Sequence, residues 1–159
     1  MGGANNICSD KTGTLTKNQM TVTRFWTLDH VFDKFSADDK AITPNVKELL
    51  GYGISLNSDA HPIKKEGKFQ QIGNKTECAL LEMIDKLGYK FDTIRKEVKP
   101  LNVAPFSSDR KRMSVVYYLS EKQRHYIFSK GAPEILIENC KYYINKVNTI
   151  TPIDNAWKE

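Results

Sequence analysis

Three stretches with strand character follow one another with almost no chain between them: "NVAPFSS" (102–108), "RMSVVYYLS" (112–120) and "RHYIFSKG" (124–131). The last two are separated only by the charged turn around Glu121 to Gln123. Parallel neighbours need a crossover of a dozen or more residues, so connections this short leave antiparallel pairing. Helical patterns flank the strands on both sides. The expected fold is therefore α/β in the α+β sense, an antiparallel sheet with helices packed on it.

The clearest helix is "NKTECALLEMIDKLG" (74–88). Leu80, Leu81, Ile84 and Leu87 form its apolar stripe, and Gly88 supplies a stop. "TPNVKELLGYGISLNS" (43–58) offers Thr43 as a cap and Pro44 at the first helical position. Val46, Leu49, Leu50 and Ile54 share a face there at helical spacing. "FDTIRKEV" reads as a weaker helix, and "APEILIENC" opens one with Pro133 in its first turn. Outside these, "MTVTRFWTL" (20–28) and "FQQIG" (69–73) read as strands. "VFDKFSADDKA" reads as a loop or edge hairpin, and "DAHPIKKEGK" as a turn-rich basic loop.

A chain of 159 residues with 40% hydrophobic content can bury one packed domain and a fragment of another. No apolar run approaches a membrane span, and "MGGANNICSD" lacks the basic flank and apolar core of a signal peptide. The piece is expected to be soluble, and both of its ends read as internal to a longer chain. Cys8, Cys78 and Cys140 are an odd set without paired spacing, which reads as reduced thiols and gives no zinc pattern. The net charge of +5 suits nucleotides, nucleic acid or acidic lipids and selects none of them.

The chemistry concentrates in "ICSDKTGTLTKNQMT" (7–21). Asp10 follows an apolar pair that reads as the end of a buried strand and precedes a Gly-containing turn. A carboxylate at a strand end can act as a nucleophile and take a phosphoryl group as an acyl phosphate. That reaction needs cations and amide donors around three charged oxygens. Lys11 offers charge, Thr12 and Thr14 offer hydroxyls, and Gly13 lets backbone amides approach. A lone Asp would read as a turn cap; the seven-residue run "DKTGTLT" is far more specific. A Walker-type phosphate loop fits poorly, because Lys11-Thr12 follows Asp10 where that loop requires Gly.

"DKTGTLT" resembles the phosphorylation signature of the P-type cation-transporting ATPases. The resemblance implies that Asp10 accepts phosphate from ATP, that Lys11 steadies it, and that Asp10 with the Thr12 carbonyl helps hold Mg²⁺. Related haloacid-dehalogenase-like hydrolases carry a second Asp where this chain has Thr12. A hydroxyl cannot serve as acid and base at neutral pH, so the acyl phosphate would persist, as a pump needs.

Three further stretches resemble the same family in order. "GNKTECALL" matches the segment whose Glu bonds the adenine amino group, here Glu77. By spacing alone Glu77 could equally close a capping box with Asn74. "PFSSDRKRMSVV" matches the adenine-stacking segment. It implies a ring face from Phe106, Arg110 and Lys111 near the phosphates, and Met113 lining the pocket. On its own Phe106 reads equally as core. The chain has Ser108 where many endoplasmic-reticulum-type calcium pumps carry Arg, with Asp109-Arg110-Lys111 beside it. "FSKGAPE" matches the family's "KGAPE" turn, implying that Lys130 lines the pocket and that Gly131 and Ala132 admit the ligand closely. By itself Lys130 reads as an ordinary exposed lysine.

The stretches most resemble calcium pumps of the plasma-membrane, calmodulin-regulated kind. The implied division is residues 1–19 as the start of a phosphorylation domain and 20–159 as a nucleotide-binding domain. The implied ligands are ATP and Mg²⁺, with Ca²⁺ carried elsewhere in a longer protein and the remaining pump domains as partners. The implied location is the cytoplasmic side of the plasma membrane or an internal one. One short basic run without an aromatic series argues against nucleic acid. A stand-alone phosphohydrolase and a non-catalytic nucleotide-binding module are the two alternatives.

Overall fold

A computed structural model describes residues 3, 5–27, 30–33, 36 and 40–154. Its centre is the three-stranded antiparallel sheet expected from sequence. The strands are β5 (Asn102–Ser107), β6 (Arg112–Leu119) and β7 (Arg124–Gly131), in the order β5-β6-β7. Alternation along β6 sets which face is buried. Met113, Val115, Tyr117 and Leu119 turn inward, against Leu56 and Ile94 of the helices. The β6–β7 register places Met113 opposite Lys130, so the lysine reaches the same face.

Three helices form the layer beneath. The first, α1 (Pro44–Leu56), starts where expected, with the Thr43 hydroxyl accepting from the Val46 amide at 3.5 Å. Its most buried positions are Val46, Gly51, Ser55 and Leu56, while Leu49, Leu50 and Ile54 of the expected stripe are half-buried. The second, α2 (Lys75–Lys86), buries Leu81 and Ile84 completely, each worth roughly 1.5–3 kcal/mol by transfer. Leu87 is buried beyond its end, and Gly88 breaks the helix at φ +91°. The third, α3 (Phe91–Glu97), turns Phe91 and Ile94 into the core. After the sheet, α4 (Pro133–Asn139) starts at Ala132, again with Pro in its first turn.

Four readings change. Ile7 and Cys8 form no strand, and Ile7 is 81% exposed. A strand holds only when a neighbour completes its ladder, and no described strand reaches this segment. In the 20–28 stretch only β1 (Phe25–Thr27) pairs, with β2 (His30–Phe32) in a hairpin where Phe25 and Phe32 stack at 4.8 Å. Residue 28 lies outside the described residues. Met20 is held instead by the side chain of Gln71, which accepts from its N–H at 3.1 Å and donates to its carbonyl at 2.6 Å. The basic 59–68 loop contains β3 (Ile63–Lys65). It pairs with β4 (Lys68–Gln70), three residues that straddle the start of the expected 69–73 strand. The turn residues Glu66 and Gly67 have φ of 50° and 77°, the left-handed pair that matches hairpin twist. A last hairpin, β8 (Tyr142–Ile144) with β9 (Ile150–Pro152), was not legible in the sequence. Among the described residues no helix is long and apolar enough to cross a membrane, and the three cysteines are unpaired.

Tyr89 joins the apolar clusters. Its ring packs against all three groups of buried side chains, those around Val115, around Leu81 and around Ile42. It lies so close to α1 that a Cβ on Gly51 would sit 2.4 Å from Tyr89 Cδ1 and 2.5 Å from Cγ. Gly51→Ala is therefore expected to destabilise the chain by about 1 kcal/mol. Overpacking costs roughly 1–3 kcal/mol, and the helix-propensity gain of about 1 kcal/mol only partly offsets it. Urea unfolding should show a lower midpoint at unchanged slope; a raised midpoint would refute the clash.

Candidate functional site

The loop after α1, residues Asn57 to His61, crosses between the helices and the sheet. Tyr117 donates its hydroxyl to the Leu56 carbonyl at 2.7 Å, and the Asn57 amide donates to the Phe128 carbonyl at 3.1 Å. These bonds hold the end of α1 to the sheet. The start of α2 meets the same loop through Glu77. Asn74 caps it, its side-chain oxygen accepting from the Thr76 amide at 2.9 Å and the Glu77 amide at 3.2 Å.

The capping-box alternative for Glu77 is half realised. Asn74 caps, but the Glu77 carboxylate turns away from the helix start. Its Oε2 accepts from the Asp59 and Ala60 amides, each at 2.8 Å, and its Oε1 accepts from Lys130 Nζ. The residue is only 9% exposed. Burial pushes the carboxyl upward, but the Lys130 bond and the two backbone amides outweigh it and hold Glu77 below its ordinary value. Lys130 is likewise not an ordinary surface lysine: its side chain is one quarter exposed and ion-paired.

Between these groups lies a cleft of about 620 Å³. Of the residues expected at a ligand site it brings together Glu77, Phe106, Met113, Lys130 and Gly131. Phe106 is 61% exposed, so its ring is presented to the cleft instead of filling the core. Met113 forms buried floor. Asp59, Ala60, Asn74 and Leu80 also line the space, and the loop residues had no sequence signal, because backbone amides look alike in any sequence.

The other expected residues stand apart from this cleft. Arg110 donates to the Pro105 carbonyl and lines a neighbouring groove with Arg112, Ser114 and Ser129. Lys111 occupies the left-handed region at φ +50° in the turn between β5 and β6. Its carbonyl accepts from the Ala132 amide at 3.0 Å. That carbonyl also explains Gly131, where a Cβ would lie 2.3 Å from Lys111 O.

Asp10, Lys11 and Thr12 form a separate, exposed turn. Asp10 Oδ1 accepts from the Thr12 amide at 3.3 Å, Gly13 takes φ +81°, and the Thr16 amide donates to the Lys11 carbonyl at 3.1 Å. Among the described residues, all hydrogen bonds of residues 5–19 are local; the first tie to the body is Met20 to Gln71. Asp10 and the Thr12 carbonyl are hard oxygen donors of the kind Mg²⁺ takes, and an ion that keeps waters and phosphates needs few from protein.

A carboxylate held below its unfolded value stabilises the fold above that value and stops doing so as pH falls through the folded one. Asp85, bonded to Lys64 at 2.8 Å and Lys90 at 2.5 Å, is held low in the same way against its own burial. Stability is therefore expected to fall as pH drops below about 4.5, through and beyond the ordinary carboxylate range. Glu77→Gln should flatten part of that acid limb in urea midpoints measured across pH. An unchanged limb would contradict the geometry.

The comparisons with known proteins agree with the resemblance. A family model described as P-type ATPase, cytoplasmic domain N, matches residues 45–159. The chain is 40% identical over 157 residues to "Calcium-transporting ATPase PAT1" of Dictyostelium discoideum, covering 98% of this chain and 14% of that protein. It is 42% identical over 153 residues to "Plasma membrane calcium-transporting ATPase 3" of Homo sapiens, covering 91% and 12%. It is 39% identical over 158 residues to "Calcium-transporting ATPase 2, plasma membrane-type" of Arabidopsis thaliana, covering 97% and 16%. The chain thus spans well under a fifth of the length of these relatives. With a mixed helix and antiparallel-sheet fold and a family match across most of its length, this chain belongs to the family of P-type ATPase cytoplasmic N domains.

Proposed function

We propose that the chain is the ATP-binding part of a calcium-transporting P-type ATPase, on the cytoplasmic face of a plasma or internal membrane. One observation carries this reading: the cleft that sets an exposed Phe106 ring opposite the Glu77–Lys130 pair. A purine stacks on Phe106 with its exocyclic amino group toward Glu77. Oε1 already accepts from Lys130, but a carboxylate oxygen has a second lone pair for the amino proton. Buried Met113 backs the ring with apolar surface. Arg110 and Lys111, in or beside the β5–β6 turn, supply positive charge for the phosphates from the adjoining surface.

In the longer protein, Asp10 attacks the γ-phosphorus. A bond forms between a carboxylate oxygen and phosphorus, the β,γ-bridging bond breaks, and ADP leaves with its electron pair. Lys11 neutralises charge on the incoming group. Asp10 and the Thr12 carbonyl would help hold Mg²⁺, which would supply further neutralisation of the phosphates. Thr12 cannot hand a proton to or from water, so the aspartyl phosphate persists and drives transport. A boundary near residue 19 is supported by the local bonding of residues 5–19, with 1–19 belonging to the phosphorylation domain and 20–159 binding nucleotide.

ATP titration followed by backbone NMR tests the cleft. Binding should perturb the start of α2 and the strands bearing Phe106 and Lys130. Phe106→Ala should weaken ATP by at least about fivefold, from roughly 1–3 kcal/mol of stacking. Lys111→Ala, an exposed charge, should cost less than about fivefold. The opposite ranking would defeat the stacking reading.

The phosphoryl step has its own test. Asp10 stands on an exposed turn whose hydrogen bonds, among the described residues, are all local, and no described contact fixes it against the cleft, so this chain alone should bind ATP without phosphorylating itself. A hydroxylamine-labile phosphate on Asp10 would overturn that. In the longer pump, Asp10→Asn should end transport and spare nucleotide binding; loss of both would contradict the separate roles.

A further inference from the structure

Arg95 has no part in the cleft lining, yet three backbone carbonyls converge on it. Its Nε donates to Ser55 O at 2.7 Å, Nη1 to Ala60 O at 2.8 Å and Nη2 to Ser58 O at 2.5 Å. Nη1 also lies 3.3 Å from His61 Nδ1. Among the described residues no carboxylate pairs with this guanidinium. A half-buried cation that spends its donors on the last turn of α1 and the loop that follows fixes that stretch of backbone.

The same loop holds Glu77. Ser58 O and the Asp59 N–H belong to one peptide group. Arg95 Nη2 donates to its oxygen at 2.5 Å, and its N–H donates to Glu77 Oε2 at 2.8 Å. The next peptide group adds the Ala60 N–H to the same oxygen at 2.8 Å. A cation on the carbonyl side polarises an amide and strengthens the bond it donates. A line therefore runs from guanidinium through peptide to carboxylate, and ends at Lys130 on Oε1.

The geometry points to Arg95 as a positioning residue for purine recognition: through the Ser58–Asp59 peptide it orients the Glu77 carboxylate and keeps Oε1 turned into the cleft. The purine part of this statement rests on the nucleotide reading above; the relay to Glu77 does not. Because Oε2 is occupied by two amides, Glu77 meets a ligand only through Oε1, as an acceptor. Arg95 thus favours a purine carrying a 6-amino donor over one carrying a 6-oxo acceptor.

Two measurements on the same chain test it separately. The first needs no nucleotide. Glu77 is met by Lys130 from β7 and by the Asp59 and Ala60 amides of the loop. Arg95 from α3 acts on it through the Ser58–Asp59 peptide and by charge, and feels the Asp59 and Asp92 carboxylates and touches His61 as well. In wild type the Asp59 and Ala60 amide resonances should shift with the Glu77 carboxyl midpoint, and the Arg95 Nε–H resonance should shift with them. His61 is followed by its own ring resonances. In Arg95→Met the Glu77 midpoint should move up toward the ordinary carboxylate range, and Arg95→Lys, which keeps the charge, should move it less. Should Arg95→Met fail to fold, shown by collapse of the β6 and β7 resonances, the wild-type titration decides. An Arg95 resonance that stays still overturns the relay, as does an unmoved midpoint in a folded variant.

The second measurement compares ATP with inosine triphosphate, its 6-oxo counterpart. Arg95→Met should weaken ATP about tenfold, the loss of one well-made charged hydrogen bond, and weaken the inosine nucleotide by less than about twofold. Equal weakening of both would assign Arg95 a merely structural role and overturn the inference. Failure of wild type to bind either nucleotide would sink the nucleotide reading and the purine preference, and leave the relay to the first test.

Discussion

A carboxylate buried in the first turn of a helix has to be answered by donors, and the arrangement of this molecule around its cleft follows from that requirement. Glu77 cannot lie between helix layer and sheet unless amides and a cation surround it. The two amides come from the loop after α1, and the cation comes from the end of β7. Three elements far apart in sequence are thereby fixed relative to one another. Lys130 in turn reaches the carboxylate only because the β6–β7 register sets it opposite Met113 on the inner face. A slip of one residue would turn Lys130 to the outer face and leave Glu77 short of its cation.

The packing beneath serves the same end. The inward residues of β6 and the buried faces of α1, α2 and α3 meet around Tyr89, which the break at Gly88 delivers into all three apolar clusters. This rigid base carries a cleft whose walls are mostly backbone and short side chains. Phe106 stands out from it with its ring in solvent, an arrangement that costs apolar exposure in the free protein and supplies a stacking face to a flat ligand. Arg95 belongs to this base too: it binds the carbonyls of the loop whose amides hold Glu77.

The segment bearing Asp10 is built on different terms. Its turn is closed by its own hydrogen bonds and by Gly13 in the left-handed region, and it is exposed throughout. A carboxylate on an exposed turn and a separate cleft on a packed base suit the proposed reaction, in which the two parts meet only when nucleotide is bound. The relatives that this chain resembles are named calcium-transporting ATPases and are several times longer.

Much of this was legible in the residues. The meander of β5, β6 and β7 followed from strand runs joined by connections too short for crossovers, and α1, α2 and α4 from caps, Pro positions and apolar spacing. "DKTGTLT", Glu77, Phe106 and "KGAPE" marked the family, and the last three put Glu77, Phe106, Lys130 and Gly131 on the cleft. The small hairpins were missed in whole or part, since three-residue strands carry little pattern of their own. Ile7 and Cys8 read as a strand because apolar type was taken for burial, and burial depends on a neighbour that sequence does not supply. The choice between capping box and cross-linking carboxylate for Glu77 was beyond the sequence, as were the grip of Arg95 on the loop and the close approach that requires glycine at 131. Local bonding and periodicity are written along the chain, where neighbours are known; a buried charge takes whichever donors the folded backbone brings within about 3 Å, and only the tertiary structure decides which those are.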